Sequence, residues 1–123
     1  MLLDSYSWIE FFKGSEKGKK VEEFLEELEC FTCIVSISEI TAWALKNGFE
    51  PNPFISKIKG LSQIINLIED IVKNAGKINF EKKKEMRDFG MIDSVIYSTA
   101  LYYGLKVLTG DEHFEGLDNV EML

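Results

Sequence analysis

Nowhere in the 123 residues does an apolar run approach the roughly 18 residues of a membrane span. The opening stretch, MLLDSYSWIEFF, has no basic segment ahead of its apolar residues and meets Asp4 at once. The chain is therefore expected to be cytoplasmic, with no membrane partner. Basic residues are in deficit, 14 against 21 acids, giving a formal charge of -7. That excludes an overall positive field drawing the protein onto nucleic acid or an anionic surface. Any polyanion would have to be held locally, through cations. Histidine occurs once, as His113, and cysteine twice, as Cys30 and Cys33, too few for a four-ligand zinc site of cysteine and histidine alone. The pair precedes the apolar run Ile34-Val35-Ser36-Ile37 and so is placed at the entry to a strand, away from the helix opening that would activate a redox thiol. Both read as reduced, structural cysteines. Proline is confined to Pro51 and Pro53, and no repeat or low-complexity segment occurs.

What is present is ordinary core material, 46% hydrophobic and 28% charged, enough for a single domain spanning residues 1–123 without covalent staples. Met1 to Asp4 reads as a short buried strand ending at an acid, followed by a helical patch through Trp8, Phe11 and Phe12 that stops at Gly14. Val21, Phe24, Leu25 and Leu28 give an amphipathic helix over Lys19 to Glu29. Thr32 to Val35 reads as a second strand, leading into a helix from Ser36 that carries Glu39 and ends near Gly48. Phe54 to Lys59 is a further helix; Ser62 to Leu67 is either a third strand or the lead-in to a helix over Ile68 to Lys77. Ile92, Val95, Ile96 and Thr99 start a buried helix that Gly104 ends; Lys106 to Thr109 and Val120 to Leu123 read as strands. Strands alternating with helices indicate an α/β fold, a three-layer sandwich with a mainly parallel sheet.

In such a sheet, residues just beyond the strand C-termini collect along one edge, where open α/β sheets place ligands. Asp4, Glu39 and Asp111 each follow a strand. Asp93, an acid in the otherwise apolar GMIDSVIYSTA segment, joins them if its helix starts at that edge. Carboxylates crowded together repel, and hard divalent cations such as Mg2+ or Mn2+ relieve that repulsion. Taken singly, each acid also fits a structural role. Ser36-Ile37-Ser38-Glu39 has the spacing of a capping box, Asp93 suits a helix N-terminus at about 0.3 to 1 kcal/mol, and Asp4 and Asp111 suit turns.

The stretches LLDSYSWIEFF, SISEI with Trp43, and GMIDSVIYSTALYYGLKVLTGDEHF, in that order, resemble the PIN-domain ribonucleases, most closely the short VapC-type toxins of prokaryotic toxin-antitoxin pairs. The resemblance implies a sheet of about five parallel strands between helices. It implies metal-dependent hydrolysis of RNA, with Asp4, Glu39, Asp93 and Asp111 as the catalytic acids. Asp4, Asp93 and Asp111 would hold Mg2+ or Mn2+, supported by the hydroxyls of Ser5 and Thr109. Its partners would be an RNA substrate, an antitoxin protein and a second copy of the chain, with Trp8, Phe11 and Phe12 available to a dimer contact. Gly110 stands where the family often has a basic residue. The alternatives are a housekeeping RNA-processing PIN nuclease and a non-catalytic binding module of the same fold. A phosphoacceptor receiver domain would need a lysine after a late strand, whereas Lys106 precedes one. The run Glu81 to Arg87 reads as a solvated helix face or a basic lip.

Overall fold

Two adjacent leucines organise the core. They form the whole of strand β1 (Leu2–Leu3), both fully buried, and the pleat turns them to opposite faces of the sheet. The computed structural model describes all 123 residues, Met1 to Leu123. Around β1 lie β2 (Phe31–Cys33), β3 (Gln63–Ile65), β4 (Val107–Thr109) and β5 (Val120–Met122), in the order β3-β2-β1-β4-β5. Every pairing is parallel. Parallel neighbours need crossovers, and helices supply all but the last: α1 (Ser5–Lys13), α2 (Glu16–Glu27), α3 (Ser36–Lys46), α4 (Asn52–Leu61), α5 (Glu69–Lys83) and α6 (Met91–Tyr103), with a 3-10 turn and loop joining β4 to β5.

The alternation along the strands sorts the helices into two layers. Leu2, Cys33 and Val107 point to a core shared with Ala75 of α5 and Val95, Ile96, Tyr97 and Ala100 of α6. Leu3 and Leu108 point the other way, to Trp8 of α1, Val21 of α2, Ile40 of α3 and Ile58 of α4. Each such fully buried aliphatic side chain contributes on the order of 1.5–3 kcal/mol. The sheet is thus covered on both faces, as all-parallel sheets require. Trp8 belongs wholly to this interior: it is fully buried and its Nε1 donates to Thr32 Oγ1 at 3.0 Å, so it is withdrawn from any dimer contact.

Close helix approach depends on one glycine. A Cβ on Gly18 of α2 would lie 2.0 Å from the backbone oxygen of Glu10 in α1, so only hydrogen allows the two helices to sit this near. In α6 the buried hydroxyls are satisfied: Ser98 donates across to Ile71 O of α5 at 2.7 Å and Thr99 within the helix to Val95 O at 2.7 Å, which lets this helix pass through the interior.

Several boundaries differ from the sequence reading; α2 starts at Glu16 and ends at Glu27, and α4 runs from Asn52 to Leu61. Strand β2 ends at Cys33 because Ile34 and Val35 form the turn into α3, closed by Ile37 N–H donating to Ile34 O at 3.1 Å. The strand therefore starts just after Cys30 and ends on Cys33, both cysteines being free and buried. Helix α5 continues to Lys83, since no glycine or proline interrupts it after Lys77 and Lys82 and Lys83 suit its C-terminal dipole. Of the two alternatives for Ser62 to Leu67 the strand holds, as β3 over Gln63–Ile65. No helix is long and apolar enough to cross a membrane.

Candidate functional site

The parallel register that pairs Leu3 with Leu108 carries the next residues, Asp4 and Thr109, to the same strand-end edge. Asp4 is only 5% exposed. It also caps α1: its Oδ1 accepts from Ser7 N–H at 3.0 Å, while Oδ2 accepts from the Thr109 hydroxyl. Thr109 Oγ1 in turn accepts from Asp111 N–H at 2.9 Å, so one hydroxyl links two acids that are 107 positions apart in the chain (111 − 4 = 107). Its single proton is committed to Asp4. Burial pushes the Asp4 carboxyl up from 3.8 to about 7; the Thr109 and Ser7 hydrogen bonds oppose that rise and the negative charge of Asp111 adds to it.

Glu39 lies in the first turn of α3, and the capping-box alternative fails there. Val35 occupies the N-cap in a helical conformation with no side-chain hydrogen bond, and the buried Ser36 Oγ has no partner. Glu39 Oε1 instead accepts from Ser5 Oγ at 2.8 Å, a contact across 34 residues. Asp93 sits in the first turn of α6, with Oδ2 accepting from Gly90 N–H at 3.3 Å, so its cap role is real. That leaves it close to the other acids all the same. Burial first, then the charge of Asp111, raises the Asp93 carboxyl above its usual range; Glu39 adds to the rise, while the Gly90 hydrogen bond and His113 moderate it. Helices α1, α3 and α6 therefore all begin beside an acid of the set, their positive dipole ends partly offsetting the charge.

Asp111 follows β4 and caps a single 3-10 turn, Glu112–Phe114, accepting from His113 N–H at 2.9 Å. The imidazole Nδ1 of His113 also lies 3.0 Å from Asp111 Oδ1. Side-chain atoms of Asp93, Asp111 and His113 come within 4.8 Å of one another. Asp4 and Glu39 fall outside that tight group and join it through Thr109 and through the proximity of Glu39 to Asp93. No lysine or arginine pairs with any of the four acids; the chain's ion pairs are Lys13–Glu10, Lys84–Glu81 and His113–Asp111. Asp93 Oδ1, Asp111 Oδ2 and Glu39 Oε2 accept no hydrogen bond from the protein. Crowded, uncompensated carboxylate oxygens with free lone pairs are the donor set that fits a hard divalent cation.

Two clefts of similar size mark the surface. One of about 470 Å3 is apolar, lined by Phe31, Ile64, Tyr103 and Leu105, and includes no acid. The other, of about 460 Å3, borders Asp111 and is lined also by Tyr6, Lys17, Gly110, Glu112 and His113. A Cβ on Gly110 would meet Tyr6 Cε1 at 2.3 Å, so a side chain there would require the Tyr6 ring to move. The Glu81–Arg87 run supplies nothing to this cleft, and Lys84 pairs with Glu81 at 3.3 Å with both side chains exposed, as on a solvated face. Sequence reasoning left His113 outside the set; its place two residues after the last acid, as the only histidine, was the available signal.

The PIN domain family model matches residues 1–120. A search of curated proteins finds no match. Among solved structures, the chain is similar to a toxin-antitoxin complex from Klebsiella pneumoniae, at TM-score 0.77 and 22% identity over 98% of this chain and 95% of that one. It is similar to Mycobacterium tuberculosis VapC20, described as a sarcin-ricin-loop-cleaving toxin, at TM-score 0.78 and 11% identity over 98% and 97%. FitAcB from Neisseria gonorrhoeae aligns at TM-score 0.73 and 19% identity over 99% and 96%. At such identities the likeness is one of fold.

Proposed function

Because the chain belongs to the PIN domain family, we propose that it is a divalent-metal-dependent endoribonuclease acting as the toxin of a toxin-antitoxin pair. The observation that carries this reading is the meeting of Asp93 and Asp111 within 4.8 Å, with no lysine or arginine to balance them. Asp93 and Asp111 would hold Mg2+ or Mn2+, with Asp4 completing the negative site behind them. When bound, such an ion supplies Lewis acidity toward a phosphate oxygen and toward water, and neutralises charge at the displacement.

The protein's own part is placement. Ser5 fixes one oxygen of Glu39 and leaves Oε2 free to accept a proton from the attacking water and so aim its lone pair at phosphorus. The Thr109 hydroxyl and Ser7 N–H hold the Asp4 carboxylate still, and the Asp111 N–H bond to Thr109 sets Asp111 beside it. Attack in line forms a water-oxygen to phosphorus bond and breaks the bond to the 3′ oxygen, which takes a proton from solvent, leaving a 5′-phosphate and a 3′-hydroxyl. The toxin assignment draws on structural neighbours whose descriptions name toxins and toxin-antitoxin complexes. An antitoxin and a second copy of the chain are the partners it brings.

Incubating a single-stranded RNA with the purified protein, with Mn2+ or with EDTA, tests the proposal. Cleavage with Mn2+ alone, abolished in a folded Asp93→Asn variant, is the expected result. Equal cleavage by wild type and Asp93→Asn would reduce Asp93 to a helix cap, and no cleavage by wild type with Mn2+ would remove the nuclease reading.

A further inference from the structure

The cleft beside Asp111 has one lysine or arginine in its lining, Lys17, on the first turns of α2. Its ammonium forms no ion pair within 4.0 Å, although Glu10, Glu112 and Asp111 are in its neighbourhood. Tyr6 holds it instead: Lys17 Nζ donates to the Tyr6 hydroxyl at 3.1 Å and lies 5.4 Å from the ring centroid. Tyr6 follows the first acid and its supporting serine in sequence, and its ring takes the space that a side chain at Gly110 would fill. The three residues form one unit, in which a missing side chain seats an aromatic ring and the ring seats a cation. Lys17 is half-buried and pairs with no carboxylate, so it presents a charge with spare donors to the open cleft beside Asp111.

We propose that Lys17, positioned by Tyr6, binds a backbone phosphate of the nucleic-acid substrate adjacent to the scissile one, and so sets where the strand crosses the acid cluster. A protein with net charge -7 has to supply such a contact locally, since its overall field repels the strand. An ammonium is a point-charge phosphate binder with no base preference, so the contact fixes position and affinity without reading sequence. Lys17, already an ammonium at neutral pH at its ordinary value, is raised further, chiefly by the hydrogen bond to Tyr6. His113 closes the same cleft from the Asp111 side. The inference rests on the nuclease reading for its substrate, but it is read out by binding, not by cleavage.

The probe is a short fluorescein-labelled oligouridylate, and binding is measured by anisotropy in the cleavage-deficient Asp93→Asn protein with Mg2+ across a salt series. Adding Lys17→Ala is expected to weaken binding about tenfold, the scale of one charged contact. It should also lower the slope of log affinity against log salt by about 0.7, the value for one phosphate on a single strand. Lys17→Arg should restore both, and Tyr6→Phe, which keeps the ring but removes the hydroxyl acceptor, should fall between. Unchanged affinity and salt slope in Lys17→Ala would overturn the proposal while leaving the nuclease intact. Absence of any binding by Asp93→Asn, together with absence of cleavage by wild type, would strike the nuclease reading and take this proposal with it.

Discussion

Replacing Asp4 with Asn should change how stability depends on pH far more than it changes stability in acid. Asp4 is buried, and its carboxyl is pushed up from 3.8 to about 7. Between those values the native state holds a proton that the unfolded chain has released. Stability therefore falls as pH rises through that interval. At about 1.36 kcal/mol per pH unit the interval is worth about 4 kcal/mol when Asp4 is fully ionised. An asparagine has the shape of the protonated acid: its oxygen can still accept from Ser7 N–H, and its amide can donate to Thr109 Oγ1. Wild type and Asp4→Asn should thus have similar stability near about pH 4 and diverge by several kcal/mol at about pH 8, with the variant the more stable. Urea denaturation at a series of pH values in EDTA measures the difference curve, from which titrations common to both proteins cancel. Mn2+ should narrow or reverse the gap, because it binds the native wild type. Difference curves flat across the range would refute the assignment of a perturbed Asp4.

Thr109→Val removes the hydroxyl that donates to Asp4 and accepts from Asp111 N–H, so it should cost about 1–3 kcal/mol at neutral pH. Since that bond lowers the Asp4 carboxyl, its loss should also extend the fall in stability to higher pH, which the same urea series would detect. Gly18→Ala places a methyl 2.0 Å from the Glu10 backbone oxygen and should destabilise by at least about 1–3 kcal/mol through forced separation of α1 and α2, read as a lowered Tm.

The parts of the site legible in the sequence are those fixed by chain direction. An acid immediately after a strand must appear at the C-terminal edge of a parallel sheet, and that placed Asp4 and Asp111 before any coordinates. Asp93 was visible because a charge inside GMIDSVIYSTA has no core function, and its helix, ending at Gly104 ahead of β4, had to begin at the same edge. Contacts made across the chain were not legible. The Ser36 to Glu39 spacing suggested a cap, whereas Glu39 is claimed by Ser5, a partner brought near only when β1 and β2 pair. Trp8 looked available to a partner until its packing over Thr32 was seen. Gly110 read as a missing cation, and the reason for it, the ring of Tyr6, is a neighbour that local pattern does not reveal. The middle of the chain gave the poorest boundaries, because the ends of α5 carry no glycine or side-chain cap to mark them.

The most direct test of the central claim is to locate a divalent cation by anomalous diffraction at the manganese edge from crystals soaked in Mn2+. The account predicts a peak among the carboxylates of Asp93 and Asp111, on the side of the cluster where Asp93 Oδ1 and Asp111 Oδ2 have no protein partner, and no such peak in Asp93→Asn crystals. Full occupancy elsewhere on this acidic surface, with Asp93 and Asp111 left bare, would contradict it.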